Sequence, residues 1–173
     1  GSLGLVTLTE PLSYGHYAGR ASYQAEVGLL SRNIKIQGNR DDSVPTDTTP
    51  AYCSGSSLVG RYPCDNTFLT GFGGHVAVSG GVGLVQGVEF YRMGQTNQLG
   101  RYPLHYHQLG DAGSQSFATD NAVHESYFRC IAIHGTNSVL VSRNVMYDAI
   151  GNCLYLESGA LFSGWGCVVL ASP

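Results

Sequence analysis

A repeat of 23 residues in the C-terminal half most restricts what this chain can fold into. The matched pairs are Asn121 with Asn144, Val123 with Met146, Tyr127 with Ile150, Cys130 with Cys153, Ile131 with Leu154 and Ile133 with Leu156. A third copy fits with a shifted offset, because Gly87–Gly94 resembles Asn144–Gly151 and Pro103–His107 then falls on Cys153–Glu157. A period in the low twenties is typical of one coil of a parallel β-helix, whose coils stack about 4.8 Å apart. An antiparallel sandwich needs no fixed period, so the repeat favours the solenoid.

Short β-rich runs, not helical patterns, fill the 173 residues. No stretch of 11 or more residues has apolar positions at helical spacing, and glycine, Asn or Asp separates most runs. The predicted strands are Leu5–Leu8, Ala25–Leu30, Asn33–Gln37, His75–Ser79, Val82–Tyr91, Leu104–His107, Cys130–His134, Ser138–Val141 and Cys153–Leu156. The sequence therefore predicts an all-β fold.

Charge and hydropathy exclude several classes of partner. Only 12% of the residues are charged and the net charge is −3, so no basic surface for nucleic acid or anionic lipid is expected. No apolar run approaches the roughly 18 residues of a membrane span, and residues 1–20 lack a signal-peptide pattern. We expect residues 1–173 to form a single β-helix segment of a larger protein, with no membrane insertion by this segment.

The five cysteines contain no Cys-x-x-Cys pair, which argues against a zinc ribbon. Cys53 and Cys64 lie in a polar insertion at about 39–70, and a disulfide that closes this loop is predicted. The alternative is two free thiols in an intracellular protein. Cys130 and Cys153 fall on adjacent coils, where they could be bridged or packed as thiols, and packing is the favoured interpretation.

Alternation within each strand predicts which side chains face outward. Apolar residues at every second position of the matched strands should face the core, so their neighbours face outward. Two outward columns result: His105, Ala132 and Tyr155 form one, and His107, His134 and Glu157 form the other. The second column stacks three titratable groups on successive coils.

Asparagines recur at the predicted turns. Asn121, Asn137 and Asn144 are expected to form ladders in which side-chain amides satisfy backbone groups of the turns.

Three stretches of sequence resemble one protein family. They are QAEVGLLSRNIKIQG at 24–38, MGQTNQLGRYPLHYHQLGD at 93–111 and IAIHGTNSVLVSRNVMYDAIGNCLYLESG at 131–159. These stretches are similar to the β-helix segment shared by fibrocystin, fibrocystin-like proteins and the cell-surface hyaluronidases of the cell-migration-inducing and transmembrane types. The resemblance implies an extracellular, right-handed parallel β-helix within a secreted or membrane-anchored protein.

The same resemblance leaves the activity open. The hyaluronidase branch degrades a polysaccharide, whereas the fibrocystin branch has no established enzymatic activity and behaves as a receptor or structural protein. Family members often have Leu-Glu-Asp-Gly where this chain has Leu156-Glu157-Ser158-Gly159. The absence of that second acid weakens a direct transfer of catalysis.

The histidines of His105-Tyr106-His107 suggest a first hypothesis, a metal site. Alternate positions place both imidazoles on one face, where they could chelate a divalent metal with Asp111 or His134 as third ligand. The cupin metal motif shares this spacing, but no later Pro-x-Gly…His motif follows. The simpler interpretation is a polar column whose histidines hydrogen-bond to neighbouring coils.

A second hypothesis is an acidic polysaccharide. Histidines beside a carboxyl could exchange protons near neutral pH, and an arginine could hold a uronate carboxylate through two hydrogen bonds. The catalytic candidates are His105, His107, Asp111, His134 and Glu157, and the substrate-binding candidates are Arg101, Tyr102 and Tyr155. Structural alternatives exist for two of them, since Arg101 could bridge the turn before Pro103 and Tyr102 could cover the core.

Two functions therefore stay open at this point. One is an extracellular module that binds, and in an enzyme would cleave, a hyaluronan-like polysaccharide. The other is a structural or adhesive segment whose partners are neighbouring domains of the same large protein.

Overall fold

The fold is a right-handed parallel β-helix. A computed structural model describes residues 6–20, 23–38, 73–96 and 98–157, together with the backbone of strands at 162–163 and 168–170. The strands of this described part are β1 (Ile34–Gln37), β2 (Val76–Val78), β3 (Leu84–Gln86), β4 (Val88–Tyr91), β5 (Leu104–Gly110), β6 (Phe117–Thr119), β7 (Ala122–Ser126), β8 (Ile131–Thr136), β9 (Val139–Ser142), β10 (Val145–Ala149), β11 (Leu154–Glu157), β12 (Phe162–Ser163) and β13 (Val168–Leu170). The predicted insertion at 39–70, with Cys53 and Cys64, lies outside the described residues, so its disulfide stays a prediction.

Each coil contributes one strand to each of three parallel sheets. Sheet 1 has the order β2-β5-β8-β11, sheet 2 the order β3-β6-β9-β12, and sheet 3 the order β1-β4-β7-β10-β13. All named strand pairs are parallel. A short 3-10 helix at Asp111–Gln115 follows β5 and accommodates a longer coil, since 27 positions separate Leu104 from its partner Ile131. Between Ile131 and Leu154 the separation is 23.

The register predicted from the repeat is confirmed in sheet 1. Ile133 lies between Tyr106 and Leu156, and His134 lies between His107 and Glu157. Ile133 and Tyr106 are fully buried, whereas Leu156, on the edge strand β11, is 45% exposed. The prediction that these side chains point into the core is therefore confirmed for β5 and β8 and only partly for the edge strand β11.

Corners with positive φ join sheet 2 to sheet 3. Asp120 and Arg143 take this left-handed conformation on successive coils, each just before an asparagine. Asn121 donates through its side-chain amide to Asn144 Oδ1 at 3.0 Å, and both residues are fully buried. The predicted ladder is thus confirmed for these two residues. Asn137 does not join it, because its amide donates to the Asp111 carboxylate at another turn.

Several local predictions are corrected. Ala25–Leu30 is not a strand, and Val27 within it is 88% exposed. The run Val82–Tyr91 is two strands, broken at Gly87, whose φ of 66° turns the chain at a corner. Five strands, β6, β7, β10, β12 and β13, lie outside the predicted runs.

Cys130 and Cys153 form a disulfide between adjacent coils, with Cα atoms 4.3 Å apart. The favoured interpretation of packed thiols was therefore wrong. Pairing of Ile131 with Leu154 places the two cysteines at the same level just before β8 and β11, where stacked coils bring like residues together.

Candidate functional site

The outer surface of sheet 1 brings four histidines together. Because Leu104 and Tyr106 point into the core, His105 and His107 face outward from β5, and His134 does so from β8. His75 immediately precedes β2, the strand beside β5. We call this surface, formed by His75, His105, His107 and His134, the histidine face.

Three of these rings pack against one another. The centroids of His105 and His107 are 5.0 Å apart and those of His107 and His134 are 4.9 Å apart, both edge to face. His105 and His134 have nearly parallel rings with centroids 6.3 Å apart. His107 therefore contacts the other two rings, and any charge on one imidazole acts on its neighbours.

An open groove of about 200 Å³ lies on this face. It is lined by His75, Ala77, Ser79, Leu99, Gly100, Arg101, His105 and His107. The guanidinium of Arg101 donates from Nη1 to Nε2 of His75 at a distance of 2.7 Å. The groove thus combines one permanent cation with three imidazoles, and no acidic residue is among those lining side chains.

Burial holds His105 in its neutral form. The residue is only 4% exposed, and its Nδ1 donates to the carbonyl of Gly100 at 3.1 Å. Its Nε2 has no hydrogen-bond partner among the described residues. Desolvation lowers the pKa of His105 to about 4, and the nearby imidazoles of His107, His134 and His75 add to that decrease, while the bond to Gly100 opposes it.

His75 lines the groove but is not among the site residues that the sequence analysis predicted. Burial, and then the charge of Arg101, hold its pKa below the ordinary value. In sequence, His75 stands at the edge of a predicted strand and has the outward parity of Ala77, which pairs with His105. The shared outward parity of His75 and Ala77 was therefore a signal in the sequence. It can be used only if β2 is aligned with β5 at their own offset of 28 positions and not at the 23-residue repeat.

The two candidate carboxyls lie apart from the groove lining. Asp111 begins the 3-10 helix, and its Oδ1 accepts a hydrogen bond of 2.8 Å from Asn137. Glu157 is in register with His134, on the coil beyond it. Within the described ranges, no three His, Cys, Asp or Glu side chains are arranged to hold a metal ion. The hypothesis of a metal bound by His105, His107 and Asp111 or His134 therefore finds no support in this geometry.

Tyr102 and Tyr155 pack against other side chains and do not have the arrangement expected of residues that stack on a sugar. Tyr102 is fully buried, against the rings of His105 and Phe128, so no ring face is free for a sugar and that assignment was wrong. Arg129 donates to the Tyr102 hydroxyl at 2.9 Å and lies over the Tyr155 ring, 3.4 Å from its centroid. Arg129 therefore links three successive coils at this end of sheet 1.

A different polar cluster covers the outer surface of sheet 3. Glu89, only 4% exposed, accepts hydrogen bonds from Lys35 at 2.8 Å, from the backbone amide of Arg32 at 3.2 Å and from His124 at 3.1 Å. The Lys35 ammonium also lies 4.0 Å from the centroid of the Tyr91 ring. We call the surface formed by Lys35, Glu89, Tyr91 and His124 the ion-pair face.

Comparison with known families gives a match to a family model. The CEMIP beta-helix family matches residues 71–162, just over half of the chain and all of β2 to β11. This match covers the histidine face completely.

Curated relatives extend the similarity to most of the chain. A G8 domain-containing protein of Dictyostelium discoideum is 44% identical over 154 residues, which are 89% of this chain and 9% of the relative. Communication mutant protein F of the same organism is 42% identical, with 89% of this chain and 12% of the relative covered. Mouse fibrocystin-L is 34% identical over 177 residues, or 89% of this chain and 4% of the relative. The chain thus spans only a small part of these proteins, and no solved structure matches it.

Proposed function

The chain belongs to the CEMIP beta-helix family, and from this we infer that it is an extracellular module whose histidine face binds an acidic, hyaluronan-like polysaccharide. The observation that supports this best is the open groove with Arg101 at its edge and no lining carboxylate. An anionic sugar would meet a cation there and, among the described residues, no like charge, which is the arrangement that favours its binding.

The chemistry of the groove suits a uronate. A guanidinium can bind a carboxylate with two parallel hydrogen bonds, and Arg101 is exposed enough to offer them. The partly exposed imidazole of His107 can bind a sugar hydroxyl as donor or acceptor. Tyr102 has no part in this proposal because it is buried.

Two observations support the extracellular location and the partners. The disulfide between Cys130 and Cys153 is of a kind that persists in oxidising compartments. The relatives are far longer than this chain, so neighbouring domains of one large protein are further candidate partners. The described part of the chain contains no helix with the length and apolarity of a membrane span.

The geometry supports binding better than cleavage. Hydrolysis of a glycosidic bond requires an acid and a base on either side of it, at carboxyl separations of about 5–9.5 Å. Here Asp111 is engaged at a turn by Asn137, and Glu157 lies two coils from His107. Cleavage would therefore depend on His107, His134 and Glu157 along one column, with imidazoles exchanging the protons.

The test measures affinity and thermal stability on the same variants of the full chain. Size-defined hyaluronan oligosaccharides are titrated against Arg101→Gln, His107→Ala and Glu157→Gln, with and without a chelator, and product formation is followed by size analysis. We expect Arg101→Gln to lower affinity at least tenfold and His107→Ala to abolish binding, with melting temperatures almost unchanged. Arg143→Gln, which removes an exposed arginine at a corner outside the groove, is the matched control.

Each outcome distinguishes the hypotheses. Loss of cleavage alone in Glu157→Gln would extend the function from binding to catalysis. Loss of affinity in the Arg143→Gln control as well would reduce the interaction to non-specific charge and contradict the proposal.

A second candidate, a structural or adhesive segment, is favoured by one specific observation. Arg129 ties Tyr102 and Tyr155 into a packed cluster at one end of sheet 1, as expected of a surface that holds coils together. If His107→Ala and Glu157→Gln lower stability and leave hyaluronan affinity intact, this candidate replaces the polysaccharide site.

A further inference from the structure

The contact between Arg101 and His75 determines which nitrogen of the His75 ring carries the proton. A guanidinium has only donors, so the Nε2 atom of His75 must accept the 2.7 Å hydrogen bond with its lone pair. The proton of the neutral ring is then on Nδ1. While this bond exists, His75 is uncharged and Arg101 is held against it.

Among the described residues, the groups that face this pair are all basic or neutral. Arg101 belongs to the turn before β5, His105 and His107 to β5 itself, and His134 to β8 on the next coil. The buried Tyr102 packs behind His105. Because no acidic side chain lines the groove in the part of the chain that the structure describes, protonation of His75 in the empty groove brings two cations together without a counter-charge among those residues.

An anion that binds Arg101 would remove this obstacle. It would compete for the Nη1 donor, leave the His75 lone pair without a partner and supply the missing negative charge. Both changes favour the charged form of the imidazole.

We propose that the groove takes up its anionic ligand together with one proton. The ligand carboxylate takes the Arg101 guanidinium from His75, and a proton from solvent then binds to the freed Nε2 of His75. The resulting N–H donates to the ligand, so the bound carboxylate lies between two cations. This inference rests on the proposed function and adds a regulation of the same site by pH.

The direction of the pH dependence follows from linkage. The complex holds more protons than the free partners between the pKa of His75 in the empty groove, which lies below its ordinary value, and its raised pKa in the complex. Affinity therefore increases as the pH falls through this range, by at most about tenfold per pH unit for one proton. Below the pKa of His75 in the empty groove, affinity becomes constant.

The experiment counts protons directly. Hyaluronan oligosaccharides of defined length are titrated into the full chain by calorimetry at about pH 6, in buffers with different ionisation enthalpies. We expect net uptake of a fraction of a proton that approaches one, and affinity that rises at least fivefold from pH 7.5 to pH 5.5. His75→Gln, whose amide oxygen can still accept from Arg101, should bind with no proton uptake and little pH dependence.

Three further measurements test whether the proton uptake belongs to His75. His16→Gln removes an exposed histidine outside the groove and should behave as the wild type. His107→Gln reports how much of the uptake belongs to the neighbouring imidazole. NMR titration of the His75 ring should give a pKa that rises when the oligosaccharide binds.

The failures of the two proposals are distinguishable. If the wild type binds hyaluronan without proton uptake, or if His75→Gln keeps the pH dependence, the inference is overturned and the polysaccharide site stands. If the wild type does not bind between pH 5.5 and 7.5, both are overturned.

Discussion

The histidine face and the ion-pair face show two ways to place titratable groups on the outside of a parallel sheet. On sheet 3, the carboxylate of Glu89 accepts from Lys35, His124 and an amide, so its donors are protein groups. On sheet 1, imidazoles contact one another and Arg101, with no carboxylate among the groove residues. On the ion-pair face the negative charge of Glu89 is balanced by protein groups. On the histidine face the positive charge of Arg101 has no carboxylate beside it among the groove residues, so an external anion can balance it.

The comparison teaches that polarity of the outward positions does not distinguish structure from function. Both faces contain histidine in strands whose alternate residues are core. They differ in the charges that neighbouring coils bring together: Lys35 meets the carboxylate of Glu89, whereas Arg101 meets the imidazole of His75. A buried carboxylate that accepts hydrogen bonds from Lys35, His124 and an amide stabilises the fold, whereas a cluster of imidazoles beside a guanidinium costs desolvation and contributes little to stability.

The largest expected effect affects both faces together. Ile133→Ala removes a fully buried side chain from the core beneath them, and we expect a loss of about 2–5 kcal/mol in the free energy of unfolding. Chemical denaturation measures it. Leu140→Ala, at an outward position of sheet 2 that is 40% exposed, should cost less than about 0.5 kcal/mol. Equal costs for the two variants would contradict the assigned alternation.

The second expected effect is a pH dependence of stability that arises on the histidine face. The folded pKa of His105 lies near 4, below its ordinary value of 6.5, so the unfolded chain binds the proton first as the pH falls. Stability should therefore decrease from about pH 6.5 to about pH 4, by on the order of 3 kcal/mol, and then stop responding to this group. Unfolding free energies of wild type and His105→Gln over this range measure the slope.

The His105→Gln variant should lose most of that slope. His16→Gln, an exposed histidine, should keep it. A wild-type stability that is constant from pH 6.5 to pH 4 would show that His105 is not buried as described.

The third and smallest effect belongs to the ion-pair face. Glu89→Gln leaves Lys35, His124 and the Arg32 amide without their charged acceptor, and we expect a loss of about 1–3 kcal/mol at pH 7. Bonds from Lys35, Arg32 and His124 outweigh desolvation and lower the pKa of Glu89. Its stabilisation is thus present above its ordinary value of 4.5 and is lost as the pH falls through the lowered one.

Wild type and Glu89→Gln should accordingly converge in stability in acid. Glu125→Gln removes a more exposed carboxylate that accepts from Arg92 and from the Tyr91 hydroxyl at the edge of the same face, and should cost at most about 1 kcal/mol. If Glu89→Gln costs no more than this control, the ion-pair face does not stabilise the fold as argued.

The amino-acid sequence by itself determined the coil, the register of β5, β8 and β11, and the column of His107, His134 and Glu157. These properties repeat along the chain. The pleat alternates side chains with a period of two, and stacking aligns like positions, so local pattern and period are enough to predict them.

Only the tertiary structure decided what happens at the corners. Tyr102 lies in a turn, where alternation no longer applies, and it is buried although its neighbour Arg101 is exposed. The contact between Arg101 and His75 spans 26 positions across coils of unequal length, and Lys35 reaches Glu89 from the preceding coil of sheet 3. Such contacts depend on where each turn directs the backbone, which the repeat does not encode. The charge balance that distinguishes the two faces arises from these contacts, so it could be seen only after the coils were stacked.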